Sequence, residues 1–429
     1  MGKISRLAMG CSLIVGLLTS PPVSAASQTS ASQTAASQTS APIASAAPVS
    51  PLAGSGTAGA YHQVAATRVL DTRSGLGGYR GLVSPGRTVT FKAGSTNSWQ
   101  AAVLDVTVPT PAPAGSLSVY PSGTSWDGRV TMTLTGGGNI QQQLTVRLGS
   151  DGGVTIRSNA RYPTHILVDV LGYYWAGTAT LEGMFAPANG RVLDTRNGIG
   201  APRAAVGAGK KVTVALPGRG GIPAGGAIAV IANVAVLAPR STGQLVVTDG
   251  DGSLATPRLR FVGHQTTPQT MQTQRIVNLG SDGALTFTNS SASSVQLVVD
   301  VFGYFVRDSA EGASGDGLGS YVPLSPQPVT ALVLHGRAPG GLYLPAGDRA
   351  LAINLVVTTD RPGQSVALGI HAPHHPWTGS PVVSSSAWLQ PTELTVDASA
   401  GSVLIRSLID TDVALHCYIT GLYWLPHGV

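Results

Sequence analysis

The sequence predicts an all-β protein of three tandem β-sandwich modules, Greek-key or jelly-roll-like, behind a signal peptide and a disordered stalk. Three observations carry that expectation. Arg68-Val69-Leu70-Asp71-Thr72-Arg73 recurs as Arg191-Val192-Leu193-Asp194-Thr195-Arg196, and Val168-Asp169-Val170-Leu171-Gly172-Tyr173 recurs as Val299-Asp300-Val301-Phe302-Gly303-Tyr304. Between these bookends lie short β-branched runs broken by Gly and Pro, the spacing of a many-stranded sandwich. No window of helical length shows a 3.6-residue apolar period free of Gly and Pro.

The elements follow in chain order. Lys3 and Arg6 precede the apolar run from Leu7 to Leu18, and Val23-Ser24-Ala25 supplies small residues for cleavage, so residues 1–25 read as a secretory signal peptide. The run is too short to span a bilayer as a stable helix, and no later segment reads as a membrane anchor. Cys11 follows Ala8-Met9-Gly10, a poor match to a lipid-attachment site. Residues 26–60 repeat Ala-Ser-Gln-Thr in a Ser/Thr/Ala/Pro tract with too little apolar surface to offset the entropy of ordering, and they are expected to form a flexible stalk.

Module 1 covers residues 61–175, module 2 residues 182–306 and a degenerate module 3 residues 321–425. In module 1 the strand runs are residues 88–91, 102–108, 115–120, 144–148, 154–156 and 166–170, punctuated by Pro121-Ser122-Gly123, Gly136-Gly137-Gly138 and Asp151-Gly152. Asp151-Gly152 and Asp282-Gly283 read as hairpin turns, with Gly taking the positive φ. The joints at residues 176–180 and 307–320 are expected to separate the modules. After removal of the signal peptide Cys417 is the only cysteine, so no intrachain disulfide holds the exported chain and stability falls to core burial.

The bookends carry a family likeness. The R-x-L-D-T-R opening and D-V-x-G-Y closing resemble a repeat domain of secreted actinobacterial surface proteins, well in modules 1 and 2 and only by position in module 3. The resemblance implies extracellular or cell-surface placement, and it supplies no catalytic residues to carry over.

Charge excludes some classes. Processing leaves 24 basic and 20 acidic residues, a net charge of +4, and lysine occurs only at positions 3, 92, 210 and 211. Scattered arginines without a basic run do not make a nucleic-acid footprint. No nucleophile elbow, phosphate loop or paired zinc ligands occur, so the expectation is no catalytic residue, no metal and no cofactor.

Arg68 with Asp169, and Arg191 with Asp300, are expected to form buried structural clasps between the first and last strands of modules 1 and 2. Aligning the bookends places Leu332 and Tyr418 at these positions in module 3, and joint loss is what a buried pair predicts, because either charge alone is costly. Asp105, Asn233 and Asn354 align as one polar core position that bonds to backbone. The loop that changes chemistry between copies is the recognition candidate. Trp126, Asp127 and Arg129 could stack a sugar ring and bond its hydroxyls in module 1, and His374, His375 and Trp377 stand in the corresponding loop of module 3. In module 2 that loop, Asp249-Gly250-Asp251-Gly252, lacks the later bidentate acid of a calcium site.

The expected function is secreted, non-enzymatic binding or adhesion at the cell surface, recognising glycan, cell-wall polymer, extracellular polysaccharide or a surface protein. The alternatives are a secreted polysaccharide or cell-wall hydrolase, which needs a cleft with two close carboxylates, and a purely structural spacer.

Overall fold

A computed structural model describes residues 59–94, 99–110, 112–176, 180–249, 255–263, 270–307, 317–336, 342–345, 349–359, 366–373, 383–385 and 392–425. Among them there is no helix. The first module contains β1 (Gly59–Asp71), β2 (Thr88–Lys92), β3 (Trp99–Val108), β4 (Ala112–Pro121), β5 (Met132–Gly137), β6 (Ile140–Arg147), β7 (Gly153–Ser158) and β8 (Leu167–Ala176). The second contains β9 (Phe185–Asp194), β10 (Lys211–Ala215), β11 (Ala227–Leu237), β12 (Gly243–Asp249), β13 (Ala255–Phe261), β14 (Met271–Asn278), β15 (Ala284–Asn289) and β16 (Gln296–Val306). The third contains β17 (Ser320–Leu334), β18 (Leu342–Pro345), β19 (Ala350–Thr359), β20 (Val366–His371), β21 (Val383–Ser385), β22 (Thr392–Asp397), β23 (Ser402–Ser407) and β24 (Val413–Trp424).

The strand order decides between the two sandwich topologies. One sheet of module 1 runs β1-β8-β3-β6 and the other β2-β7-β4-β5, both antiparallel, which is the order of a jelly roll. Modules 2 and 3 repeat it as β9-β16-β11-β14 with β10-β15-β12-β13, and β17-β24-β19-β22 with β18-β23-β20-β21. Asp151-Gly152 is therefore not a hairpin. Gly152 does take a positive φ of 72°, but β6 pairs with β3 and β7 with β2 and β4, so the turn carries the chain from one sheet to the other.

Each module has its own core, with Leu104, Val106, Leu117 and Ile156 fully buried in the first. The outer strands alternate, as in β2 with its exposed-buried pattern, because one face meets water. The central inner strands do not alternate. In β11, Ala227-Ile228-Ala229-Val230-Ile231-Ala232 are all buried, since one face packs on the module's own core and the other on a cluster shared by all three modules.

That shared cluster binds the modules into one body. Tyr61 and Tyr174 from module 1, Phe185 and Phe305 from module 2, and Tyr321 and Tyr423 from module 3 meet there, nearly solvent-free. Tyr174 and Tyr321 rings lie 4.1 Å apart, Phe185 and Tyr423 also 4.1 Å, and the hydroxyls of Tyr174 and Tyr423 are hydrogen-bonded at 2.6 Å. Tyr174, Phe305 and Tyr423, each two residues after the closing glycine, thus seal the centre of the assembly, while Tyr173 and Tyr304 pack against the cores of their own modules. Gly172, Gly303 and Gly421 are required where the ring of Tyr61, Phe185 or Tyr321 crosses the last strand of its module, leaving no room for a Cβ. Residues 177–179 and 308–316 of the joints lie outside the described residues; at the end of the second joint Gly319 exchanges two backbone hydrogen bonds with Phe185, and Gly59 of β1 pairs with Tyr321 of β17.

A ring of side-chain-to-backbone bonds closes the three seams. Gln143 Nε2 donates to Ile276 O (3.0 Å) and its Oε1 accepts from Ile276 N (2.8 Å). Gln274 Nε2 donates to Thr395 O (2.9 Å), and its Oε1 accepts from Thr395 N (2.5 Å). Register makes Glu393 their equivalent, opposite Val356 as Gln143 is opposite Asp105 and Gln274 opposite Asn233. Glu393 Oε2 accepts from Thr145 N at 2.8 Å and completes the ring.

Register also corrects two alignments. Val356, not Asn354, shares the position of Asp105 and Asn233; Asn354 lies opposite Thr395 and Gly421, as Val103 lies opposite Thr145 and Gly172. Opposite Tyr418 stands Pro328, with Leu332 further along β17 opposite Leu415.

Candidate functional site

The arginine–aspartate pairs come first because strand pairing positions them. β1 runs beside β8 with Arg68 opposite Asp169, and β9 beside β16 with Arg191 opposite Asp300. Each arginine forks onto its carboxylate: Arg68 Nε at 2.5 Å and Nη2 at 3.0 Å, Arg191 at 2.8 and 3.1 Å. Bidentate geometry of this kind makes strong, orienting contacts. The two differ in burial. The Arg68 and Asp169 side chains are 36% and 21% exposed, whereas those of Arg191 and Asp300 are 20% and 3% exposed, so only the second is a largely buried clasp.

A second layer backs each pair. Asp71 and Asp194 accept from the guanidinium and backbone N–H of Arg73 and Arg196, which holds both carboxyls below the usual carboxylate range. Arg68 and Arg73, like Arg191 and Arg196, converge on neighbouring carboxylates, an arrangement suited to fixing a strand end.

The loop after β4 lies elsewhere, at the seam between modules 1 and 3. Trp126, Asp127 and Arg129 line a pocket of about 280 Å³ together with Tyr120, Thr145, Arg147, Pro326, Glu393 and Tyr418. Trp126 is 39% exposed. Its indole N–H donates to Arg129 O at 3.1 Å, and the Arg157 guanidinium covers one ring face at 4.5 Å. Asp127 Oδ1 accepts from Arg129 N at 3.0 Å, and its Oδ2 is 3.2 Å from Arg129 Nε.

Arg129 reaches across the seam. Its Nη1 donates to Pro326 O at 2.9 Å, and its guanidinium lies 4.9 Å from the Tyr418 ring centroid. Arg129 is thus mortar between modules as well as pocket wall, which loop chemistry could not reveal. Glu393 was also missed; its signal was the repeat itself, an acid where the other copies have glutamine. Burial pushes its carboxyl up from 4.5 to about 7, against the hydrogen bonds from Thr145 N and Asn354 Nδ2 (3.0 Å) that favour the anion.

At the adjoining seam between modules 1 and 2, Asp105 is raised to about 6, chiefly by burial and against the pull of Arg275, whose Nη1 stands 3.6 Å away. Asp105 Oδ2 accepts from Gln141 Nε2 at 2.6 Å. Asp105 therefore faces a side chain of the next module and not backbone.

His374, His375 and Trp377 lie outside the described residues, as do residues 250–254 of the loop after β12. His371, at the end of β20, is described, and its Nδ1 is 2.8 Å from Ala372 O. Among the described residues no three His, Cys, Asp or Glu side chains gather as a metal site, and no helix is long and apolar enough to cross a membrane.

No family model matches the chain, and no curated protein matches it. Among solved structures it is similar to a protein from work on the triple jelly roll fold and turret assembly in an archaeal virus, at 10% identity over 86% of this chain and 91% of that one. It is similar, too, to a chain of Sulfolobus turreted icosahedral virus, at 10% identity over 86% and 92%. The PBSX exported protein XepA matches at 14% identity over 58% and 90%. All three have a TM-score of 0.17, so the jelly-roll assignment stands on strand order alone.

Proposed function

We propose that this is a secreted, non-enzymatic binding protein that works at the cell surface or outside the cell and holds a glycan segment in the pocket between modules 1 and 3. The signal peptide and the likeness to secreted actinobacterial repeat domains support the placement. One observation carries the binding reading: a partly exposed Trp126 in the lining of a pocket near the lower end of the roughly 300 Å³ scale of small-ligand sites. Thr145, Arg147 and Tyr418 add polar atoms to an aromatic wall, the mixture that suits a sugar with hydroxyls around its edge and C–H bonds on its faces.

The hydrolase alternative needs two carboxylates converging on a substrate. The pocket's acids have other duties, Asp127 binding Arg129 and Glu393 tying module 3 to module 1. The test is binding of the mature chain and of Trp126→Ala to purified actinobacterial cell wall and to soluble polysaccharides. We expect a loss of about tenfold or more, the scale of one aromatic contact. Undiminished affinity of the variant refutes the pocket.

A further inference from the structure

We propose that module 1 carries a second carbohydrate-binding surface, a shelf of Trp99, Trp175 and His62, and that its ligand is a neutral pyranose polysaccharide. This surface stands apart from the seam pocket and does not depend on it. The shelf is assembled by strand pairing: β8 lies between β1 and β3, placing Trp99 directly opposite Trp175 and His62 opposite Tyr173. The two indole rings are 6.4 Å apart at a 41° tilt, and His62 stands 5.7 Å from Trp99.

Exposure and bonding argue for a ligand. Trp175 is 40% exposed on β8, which is paired on both sides, and His62 is exposed as well, while Trp99 is half-buried against the module core. Tyr173 packs beneath at 4.2 Å from Trp99 and spends its hydroxyl on Ala93 O at 2.6 Å, so it is the support of the shelf. No described residue takes the indole N–H of Trp99 or Trp175, or either ring nitrogen of His62. A surface with tilted apolar faces, two indole N–H groups and an imidazole fits a sugar chain, whose ring faces stack while its hydroxyls bond. The absence of a charged side chain in this set favours a neutral sugar over an acidic one. Because rigid strands hold the rings before binding, little ordering cost accompanies capture.

The pair is peculiar to this copy. Register puts Ala227 and Val306 at these positions in module 2, and Ala350 and Trp424 in module 3. A pair needed only to finish a jelly roll would not be confined to one of three.

Affinity electrophoresis of the mature full-length chain through gels containing laminarin, hydroxyethylcellulose, glycol chitin or dextran tests the proposal, with tryptophan fluorescence as a second readout. A polysaccharide that retards wild type should bind Trp175→Ala and Trp99→Ala about tenfold more weakly, while Trp175→Phe keeps most of the affinity. Thermal unfolding of each variant checks that the module is intact, and Trp175→Phe serves as the decisive variant should an alanine variant fail to fold. Tyr162→Ala, an exposed aromatic outside both surfaces, should leave this binding unchanged; a loss confined to Trp126→Ala assigns the binding to the seam pocket and overturns the shelf. Wild-type affinity in both shelf alanine variants overturns it too, as does a wild type retarded by none of the four polysaccharides.

Discussion

Glu393→Gln should make the protein more stable above neutral pH and leave it nearly unchanged in mild acid. Gln143 and Gln274 close two seams with a neutral amide, and Glu393 closes the third with a carboxyl whose pKa rises from 4.5 to about 7 on folding. Well below pH 4.5 the group is protonated in both states and costs nothing. As pH rises to about 7 the unfolded chain ionises first, so stability is lost through that window and the loss is complete above it. A shift of this size is worth about 3 kcal/mol for a fully enclosed group. Because Glu393 also lines the seam pocket, water reduces that to about 2 kcal/mol. In the variant, a flip of the Asn354 amide turns its oxygen toward the new Nε2, which preserves both bonds. Chemical unfolding of the mature chain at pH 4.5 and pH 8 measures the difference between variant and wild type. The titration of Asp105, raised to about 6, is common to both proteins and cancels. A difference that is the same at the two pH values within about 0.5 kcal/mol refutes the assignment.

Two further outcomes follow from the same geometry. Asp300→Ala should cost about 3 kcal/mol, because it strands Arg191 in a largely buried site, and Asp169→Ala about 1 kcal/mol, because Arg68 can still reach water; equal losses by calorimetry contradict that ranking. Residues 182–306 expressed alone should show β-type circular dichroism and a cooperative transition from their own core, yet self-associate through the uncovered Phe185, Ile231 and Phe305; a monomer by sedimentation contradicts the shared centre, and an unfolded fragment contradicts the autonomy of the module.

What could be read from the sequence was what repeats locally. Strand runs such as residues 102–108 and 154–156 fall within β3 and β7, because β-branched runs between Gly and Pro carry their own boundaries. The Arg68–Asp169 and Arg191–Asp300 contacts were legible because two copies preserve both members and the third preserves neither. Periodicity does not say what lies behind a strand. Tyr174 and Tyr423 face the neighbouring modules, and a two-residue period only shows that they face away from their own core. The tryptophan shelf was hidden for a related reason: Trp99 and Trp175 are far apart in sequence and meet only through the pairing of β3 with β8. Asn354 was placed two residues away from its true partner position because the apolar run around it offers no landmark, and register alone supplies one.

The departures of the third copy gather at one seam. Tyr418 stands where the other copies have a clasp aspartate, and its ring lies under Arg129 of module 1. Glu393 stands where they have glutamine, and it bonds Thr145 of module 1. Pro326, on the first strand of module 3, accepts from the same Arg129. Two changes scattered through the sequence of a decaying repeat would suggest lost constraint, but these two converge, beside Pro326, on the junction that also contains the pocket. The first two seams join modules that follow each other in the chain, while the third closes the ring between modules 3 and 1, where β17 pairs with β1 at Gly59 and Tyr321 and side-chain contacts supply the rest. Loss of the clasp in module 3 is therefore better understood as an exchange: the strand-end ion pair gave way to an aromatic ring that accepts a neighbour's guanidinium, and the seam so formed differs in charge and shape from its two counterparts.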